Sequence, residues 1–131
     1  MDQPIGFKPD ASPASDTDIG VQEMELPQDA PIRCAACMGA VAVAADRIEV
    51  KGAHVHTFAN PHGLVFEIGC FHDAFGCDAM GLPTDEFAWF NGFFWQMAFC
   101  RTCLAHLGWL FTNKSTGFWG LILDRLIDEK G

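Results

Sequence analysis

Cys34-Ala35-Ala36-Cys37 and Cys100-Arg101-Thr102-Cys103 are two C-x2-C pairs with 62 residues between them. Two residues between thiols let each pair grip one ion from a tight turn, and two such turns set four sulfurs tetrahedrally around zinc. The rival reading is two disulfides or four buried thiols. Disulfides need an oxidising compartment, and nothing in the chain indicates one. Four thiolates leave no position open for water, so the Zn2+ they imply is structural rather than catalytic. Cys70 and Cys77 match no ligand spacing and read as buried apolar thiols. His54 and His56 fall on one side of a strand without an evident third ligand and read as surface or hydrogen-bonded histidines. His106 reads as a packing or supporting residue rather than a fifth ligand.

The elements that must position these thiols are mainly strands. In "HVHTFANPHGLVFEIGCF" a strand ends at the turn Asn60-Pro61-His62-Gly63, and a second one follows. Its alternation sets Leu64, Phe66, Ile68 and Cys70 on one face and Val65, Glu67, Gly69 and Phe71 on the other. In "WFNGFFWQMAFC", Asn91-Gly92 predicts a hairpin turn and a strand with Phe93, Trp95, Met97 and Phe99 on one face. Leu107, Trp109 and Phe111 alternate likewise. "FWGLILDRLIDEK" reads as a strand turning helical near its polar end. "HDAFGCDAMGLPTDEF" has neither period and reads as a long loop with at most a short helical turn.

The 131 residues fit one domain. Half are apolar, with 12 Phe, 4 Trp and no Tyr. Rings without phenol hydroxyls predict surfaces built to be dry. No run of about 18 apolar residues predicts a membrane span. The first ten residues carry neither the basic start nor the apolar segment of a secretory signal, and the expectation is a soluble, cytoplasmic protein. Residues 1–31 hold seven acidic residues and Lys8, leaving -3 of the total charge of -9 for residues 32–131. Neither part carries the basic stripe that neutralising phosphates requires, which excludes nucleic acid as an expected partner. The Pro-, Ala-, Ser- and Asp-rich leader cannot bury enough surface to offset its ordering entropy. The expected organisation is thus an acidic, disordered arm over 1–31 and a zinc-pinned β domain over 32–131.

Several short runs together carry a family resemblance. "CRTCLAHLGW", Ala88-Trp89-Phe90, Gly92-Phe93-Phe94-Trp95, Asn60-Pro61-His62-Gly63 and Phe118-Trp119-Gly120-Leu121 resemble the thalidomide-binding (CULT) domain of the cereblon family over about residues 32–126. Such units also occur alone in some bacteria. The resemblance implies a β-tent fold, two antiparallel sheets joined at a structural tetra-cysteine zinc site. It implies a cage of three indoles, which fall on Trp89, Trp95 and Trp109 here. It also implies that backbone groups of Phe87-Ala88-Trp89 meet the polar edge of a glutarimide-like cyclic imide, with Asn60, Pro61, Phe66 and Phe111 around the rim or floor. The guest would be a small cyclic imide or the cyclised imide end of a damaged protein. Ala88 departs from the serine common before the first cage Trp. Phe87 and Phe66 stand where some relatives have His, which makes this cage drier. The chain has neither the Lon-like domain nor the adaptor-binding region of eukaryotic cereblon, so a place in a ubiquitin-ligase assembly is not expected. Trp119, outside the triad, reads as core.

Two other functions compete with imide binding. Three Trp faces also attract quaternary or methylated ammonium groups, and Asp85 and Glu86 stand nearby in the chain. The zinc pairs and His106-Leu107-Gly108 resemble R-specific methionine sulfoxide reductases. Those use a nucleophilic Cys in a last strand, whereas no Cys follows Cys103 here. The expectation is therefore a binding module and not an enzyme.

Overall fold

A computed structural model of the protein describes residues 29–128, so the leader, apart from its last three residues, lies outside the described residues. Nine strands follow in chain order among them. They are β1 (Pro31–Cys34), β2 (Ala40–Val43), β3 (Val55–Ala59), β4 (Val65–Phe71), β5 (Cys77–Thr84), β6 (Phe94–Cys100), β7 (His106–Thr112), β8 (Gly117–Ile122) and β9 (Leu126–Asp128). Single 3-10 turns at Ala44–Asp46 and Leu123–Arg125 are the helical elements among the described residues.

The strands form two sheets in which the pairings are antiparallel. The smaller has the order β9-β1-β2 and the larger β3-β4-β8-β7-β6-β5. This is the mainly β, two-sheet architecture expected from the sequence.

The central strands of the large sheet are buried on both faces. Toward the small sheet, Phe71, Leu107, Leu121 and Cys100 pack against Ile32, Cys34, Val41 and Ala42. On the other face Ile68, Cys70, Trp109, Phe111, Phe118 and Ile122 pack beneath Phe90, with Phe58, Phe66, Trp89, Phe93 and Trp95 partly buried around them. Phe90 comes from the loop 85–93 and makes edge-on contacts with Phe58, Phe111 and Phe118 at 4.9–5.2 Å. One loop therefore roofs this face of the sheet around Phe90, and apolar burial of this kind, about 25 cal/mol per Å², supplies its driving force.

Two expectations change. Residues 77–84, read as loop, form β5 and pair with β6 from Cys77↔Cys100 to Thr84↔Trp95. Its apolar period is invisible because β5 is an edge strand on which only Cys77 is buried, and because Gly81 and Pro83 sit inside a register shift between Met80 and Thr84. Asn91-Gly92 is a turn, closed by Phe93 N–H donating to the Phe90 carbonyl at 3.1 Å. It lies within the loop 85–93 that joins the antiparallel pair β5 and β6, so the expected hairpin forms with a long loop instead of a two-residue turn at Asn91-Gly92. Phe93 consequently precedes the strand. The helical ending expected of the last strand is one 3-10 turn, after which β9 returns the chain to β1.

The central strands touch backbone to backbone at one point. A Cβ on Gly108 would lie 2.0 Å from the Gly120 carbonyl oxygen, an approach that only glycine permits. Gly108→Ala is expected to cost at least about 3 kcal/mol of stability, or to prevent folding. Gly52→Ala, at a positive φ with open space around it, is expected to cost about 1–2 kcal/mol. Urea denaturation of the two variants checks the contrast.

Candidate functional site

The two cysteine pairs fold into equivalent knuckles. Cys34 N–H donates to the Gly39 carbonyl at 2.9 Å and Met38 N–H to the Cys34 carbonyl at 2.7 Å. In the second knuckle Cys100 N–H donates to the Ala105 carbonyl and Leu104 N–H to the Cys100 carbonyl, both at 2.8 Å. Met38 and Leu104, each directly after a second cysteine, take left-handed φ values of 67° and 66°. This fold turns backbone N–H groups onto the sulfurs. Ala36 and Cys37 donate to Cys34, Gly39 to Cys37, Thr102 and Cys103 to Cys100, and Ala105 to Cys103.

The four Sγ atoms lie within 4.8 Å of one another, the sole such metal-capable group among the described residues. Cys34 to Cys103 and Cys37 to Cys100 are both 3.7 Å apart. Cys34 closes a strand of the small sheet and Cys100 a strand of the large one, so the cluster joins the two sheets. Burial works against a thiolate at Cys100, but the N–H groups of Cys103 and Thr102 and the adjacent thiols prevail and bring it down to about 7. A soft, all-sulfur set with oriented N–H donors fits a divalent metal ion.

The remaining thiols behave differently. Burial pushes Cys70 up to about 11, and burial together with the neighbouring thiols pushes Cys77 up to about 12. Both are core groups. His54 donates through Nδ1 to the Ile48 carbonyl at 3.0 Å. His56 donates through Nε2 to the carbonyls of Val50 and Ala53 at 2.9 and 3.0 Å. Neither histidine joins a metal-capable group among the described residues.

A cavity of about 650 Å³ opens on the face of the large sheet away from the small one. Its floor comes from paired strands. Trp95 sits opposite Phe111 and Met97 opposite Trp109 in the β6–β7 register, so the four side chains share a face. Phe66 of β4 meets Trp109 edge-on at 5.3 Å. Trp89, from the roofing loop, stands edge-on to Trp109 at 4.7 Å and 72°. Phe58 stacks on the back of Trp89 at 4.9 Å, and the Trp89 Nε1–H donates to the Ala59 carbonyl at 3.2 Å. The Trp95 Nε1–H donates to the Glu86 carbonyl at 2.8 Å, fastening loop to floor. Phe87 has a left-handed φ of 55°, costly for a bulky residue, and lines the opening while two thirds exposed. The turn residues Asn60 and Pro61 line it too. Asn60 Oδ1 accepts from the N–H groups of His62 and Leu64 and so sets the shape of its turn.

Every ligand-contact residue expected from the sequence lines this cavity except Ala88, whose N–H donates to the Asp85 carbonyl at 3.2 Å. The lining also holds His62, Leu64, Glu86, Met97, His106 and Arg125. Met97 was legible as the strand neighbour of Trp95. His106 and Arg125 were not, because a bulge at Ala98/Phe99 and a 3-10 turn bring them in. His106 donates through Nε2 to the Gly108 carbonyl at 2.9 Å and meets Trp109 edge-on at 5.0 Å. Burial first, and then the Arg125 charge, push its pKa down, which favours the neutral ring. Trp119 packs against the core beside the cysteine cluster, as expected of it.

Fold and cluster together define a two-sheet β domain clasped by four cysteines, with an indole-lined cavity on its outer face. Curated proteins named cereblon match the chain. The one from Xenopus tropicalis is 42% identical over 69 residues, 49% of this chain and 15% of the relative. The one from Danio rerio is 36% identical over 75 residues, 53% of this chain and 17% of the relative. That from Drosophila virilis is 29% identical over 96 residues, 71% of this chain and 15% of the relative. The chain thus spans about a sixth of the length of the curated relatives it matches. No protein-family model matches it. The protein carries a cereblon-type domain.

Purified protein is expected to carry one divalent metal ion per chain, released by acid as protons compete for the thiolates. Serine at any of Cys34, Cys37, Cys100 or Cys103 is expected to lower that content severalfold or more, and Cys70→Ser to leave it intact. Metal analysis by mass spectrometry of the purified variants checks this.

Proposed function

We propose that the protein is a non-enzymatic binding module whose cavity holds a small cyclic imide between Trp89, Trp95 and Trp109, with a structural zinc ion in the cysteine cluster. The observation that carries the reading is that three indoles from three separate elements line one void of about 650 Å³ instead of filling it. That volume falls in the range of about 300–1,000 Å³ common for small-molecule pockets. The resemblance of the motifs around these three residues to the cereblon thalidomide-binding domain favours the same guest.

An imide ring suits such walls. Its methylene back is apolar, and its flat edge presents acceptor, donor and acceptor. Among the described residues, the Phe87 carbonyl and the Trp89 N–H take part in no hydrogen bond within the protein, while Ala88 N–H between them is occupied. The carbonyl is free to accept from the imide N–H and the amide to donate to an imide oxygen. Leaving such an edge buried and unpaired costs about 1–3 kcal/mol per group, so rings lacking it are disfavoured. The left-handed backbone at Phe87 is a local strain of the sort that accompanies ligand clamps.

The other readings find less support. No thiol lines the cavity among the described residues, and Cys70 and Cys77 are held protonated by burial, which leaves sulfoxide reduction without a nucleophile. A cationic guest would meet the Arg125 guanidinium in the wall. No helix among the described residues is long and apolar enough to cross a membrane. Unoxidised thiolate ligands are kept in reducing compartments, which fits a cytoplasmic setting for this proposal.

Titration with glutarimide, followed by Trp fluorescence at fixed zinc content, is expected to show saturable 1:1 binding. Trp109→Ala and the more exposed Trp95→Ala are each expected to weaken it by about 2 kcal/mol or more, roughly 30-fold. A fluorescence response to trimethylammonium compounds and none to glutarimide would refute the imide reading.

A further inference from the structure

The 3-10 turn Leu123–Arg125 ends on a guanidinium that lines the cavity. Arg125 Nη1 donates to the His106 carbonyl at 2.8 Å, and the guanidinium carbon lies 5.9 Å from the centre of the Phe66 ring. The Arg125 carbonyl accepts from Ala35 N–H at 3.0 Å, so the turn that carries this side chain is fastened to the first cysteine knuckle. A guanidinium has five N–H donors, and a bond to a neutral carbonyl uses one of them without touching the charge. Among the described residues the ion pairs are Arg47–Asp128 and Arg101–Asp78, and Arg125 has none. The site therefore holds an oriented cation with donors to spare and no counter-ion.

Nothing else in the wall takes up that charge. Burial disfavours a charge on His106, and its Nε2–H is spent on the Gly108 carbonyl. Glu86, the one carboxylate in the lining, belongs to the roofing loop, a different element, and forms no ion pair with Arg125. The chain as a whole has a net charge of -9. An anion approaching it is repelled except where a local cation outweighs that field.

We infer that the guest is an anionic cyclic imide, a ring that carries a carboxylate away from its imide edge, and that Arg125 is the specificity-determining residue that pairs with this carboxylate. The inference rests on the cyclic-imide reading of the cavity. A guanidinium beside an apolar wall binds a carboxylate through parallel N–H donors, which fixes orientation as well as charge. The indoles then select the ring, the Phe87–Trp89 backbone selects the imide edge, and Arg125 selects the substituent.

Dihydrouracil and dihydroorotate form a matched pair of probes, because they share one imide edge and differ in a carboxylate. The methyl ester of dihydroorotate matches its size without its charge. Wild-type protein, assayed by calorimetry, is expected to bind dihydroorotate about tenfold more tightly than dihydrouracil or the ester, a preference that shrinks as salt is raised. In Arg125→Gln the preference is expected to fall to about one, and in Arg125→Lys to an intermediate value. Thermal unfolding and zinc content verify that the variants are folded. If the ester binds as tightly as the acid, or if Arg125→Gln retains the preference, this inference is overturned while imide binding stands. If glutarimide and dihydrouracil both fail to bind wild-type protein, the imide reading falls and this one with it.

Discussion

Four sulfur atoms from residues 34 to 103 converge within 4.8 Å, and the rest of the domain is arranged around that convergence. Uncompensated thiolates at such spacing repel one another, so the cluster is stable only when a cation or protons neutralise it. With a metal bound, it closes a long loop and locks the last residue of β1 to the last residue of β6, members of different sheets. A small β domain gains from such a clasp because each sheet alone has too little partner surface to bury. The two knuckles share one backbone solution, with a left-handed residue after the second cysteine and N–H groups turned onto sulfur. That common geometry follows from the C-x2-C spacing itself.

The clasp leaves one face of the large sheet to be covered by something other than a second sheet. The loop 85–93 provides the cover, pinned by Phe90 in the core and by indole N–H bonds from Trp95 to Glu86 and from Trp89 to Ala59. A roof built from one loop does not fill the space beneath it. The void it leaves is bounded by large rigid rings in edge-on contact, which resist collapse better than flexible aliphatic side chains. Function in this account is a by-product of incomplete packing at a place where the neighbouring packing is tight. The Gly108–Gly120 backbone contact behind Trp109 is an instance of that tightness.

Much of this was legible in the residues. The cysteine spacing announced the clasp and period-two alternation announced β4 and β7, while the grouping of Trp89, Trp95 and Trp109, which line one cavity, was implied only by the family resemblance. What escaped notice has physical causes. Strand β5 lacks a buried face, so alternation carries no signal there, and its existence depends on pairing with β6. The Asn91-Gly92 turn has the local chemistry of a hairpin, yet tertiary contacts of Phe90 use it to fold a roof. Arg125 and His106 reach the cavity through a 3-10 turn and a strand irregularity. Neither has a sequence period, and their meeting depends on β8 returning beside β7.

The account is tested most directly by a crystal structure of the metal-loaded protein soaked with glutarimide. It predicts density for one ring held among the faces of Trp89, Trp95 and Trp109, its edge bonded to the carbonyl of Phe87 and the amide of Trp89. A ring bound elsewhere, or an occupied cavity in which those two main-chain groups point away from the guest, would contradict it.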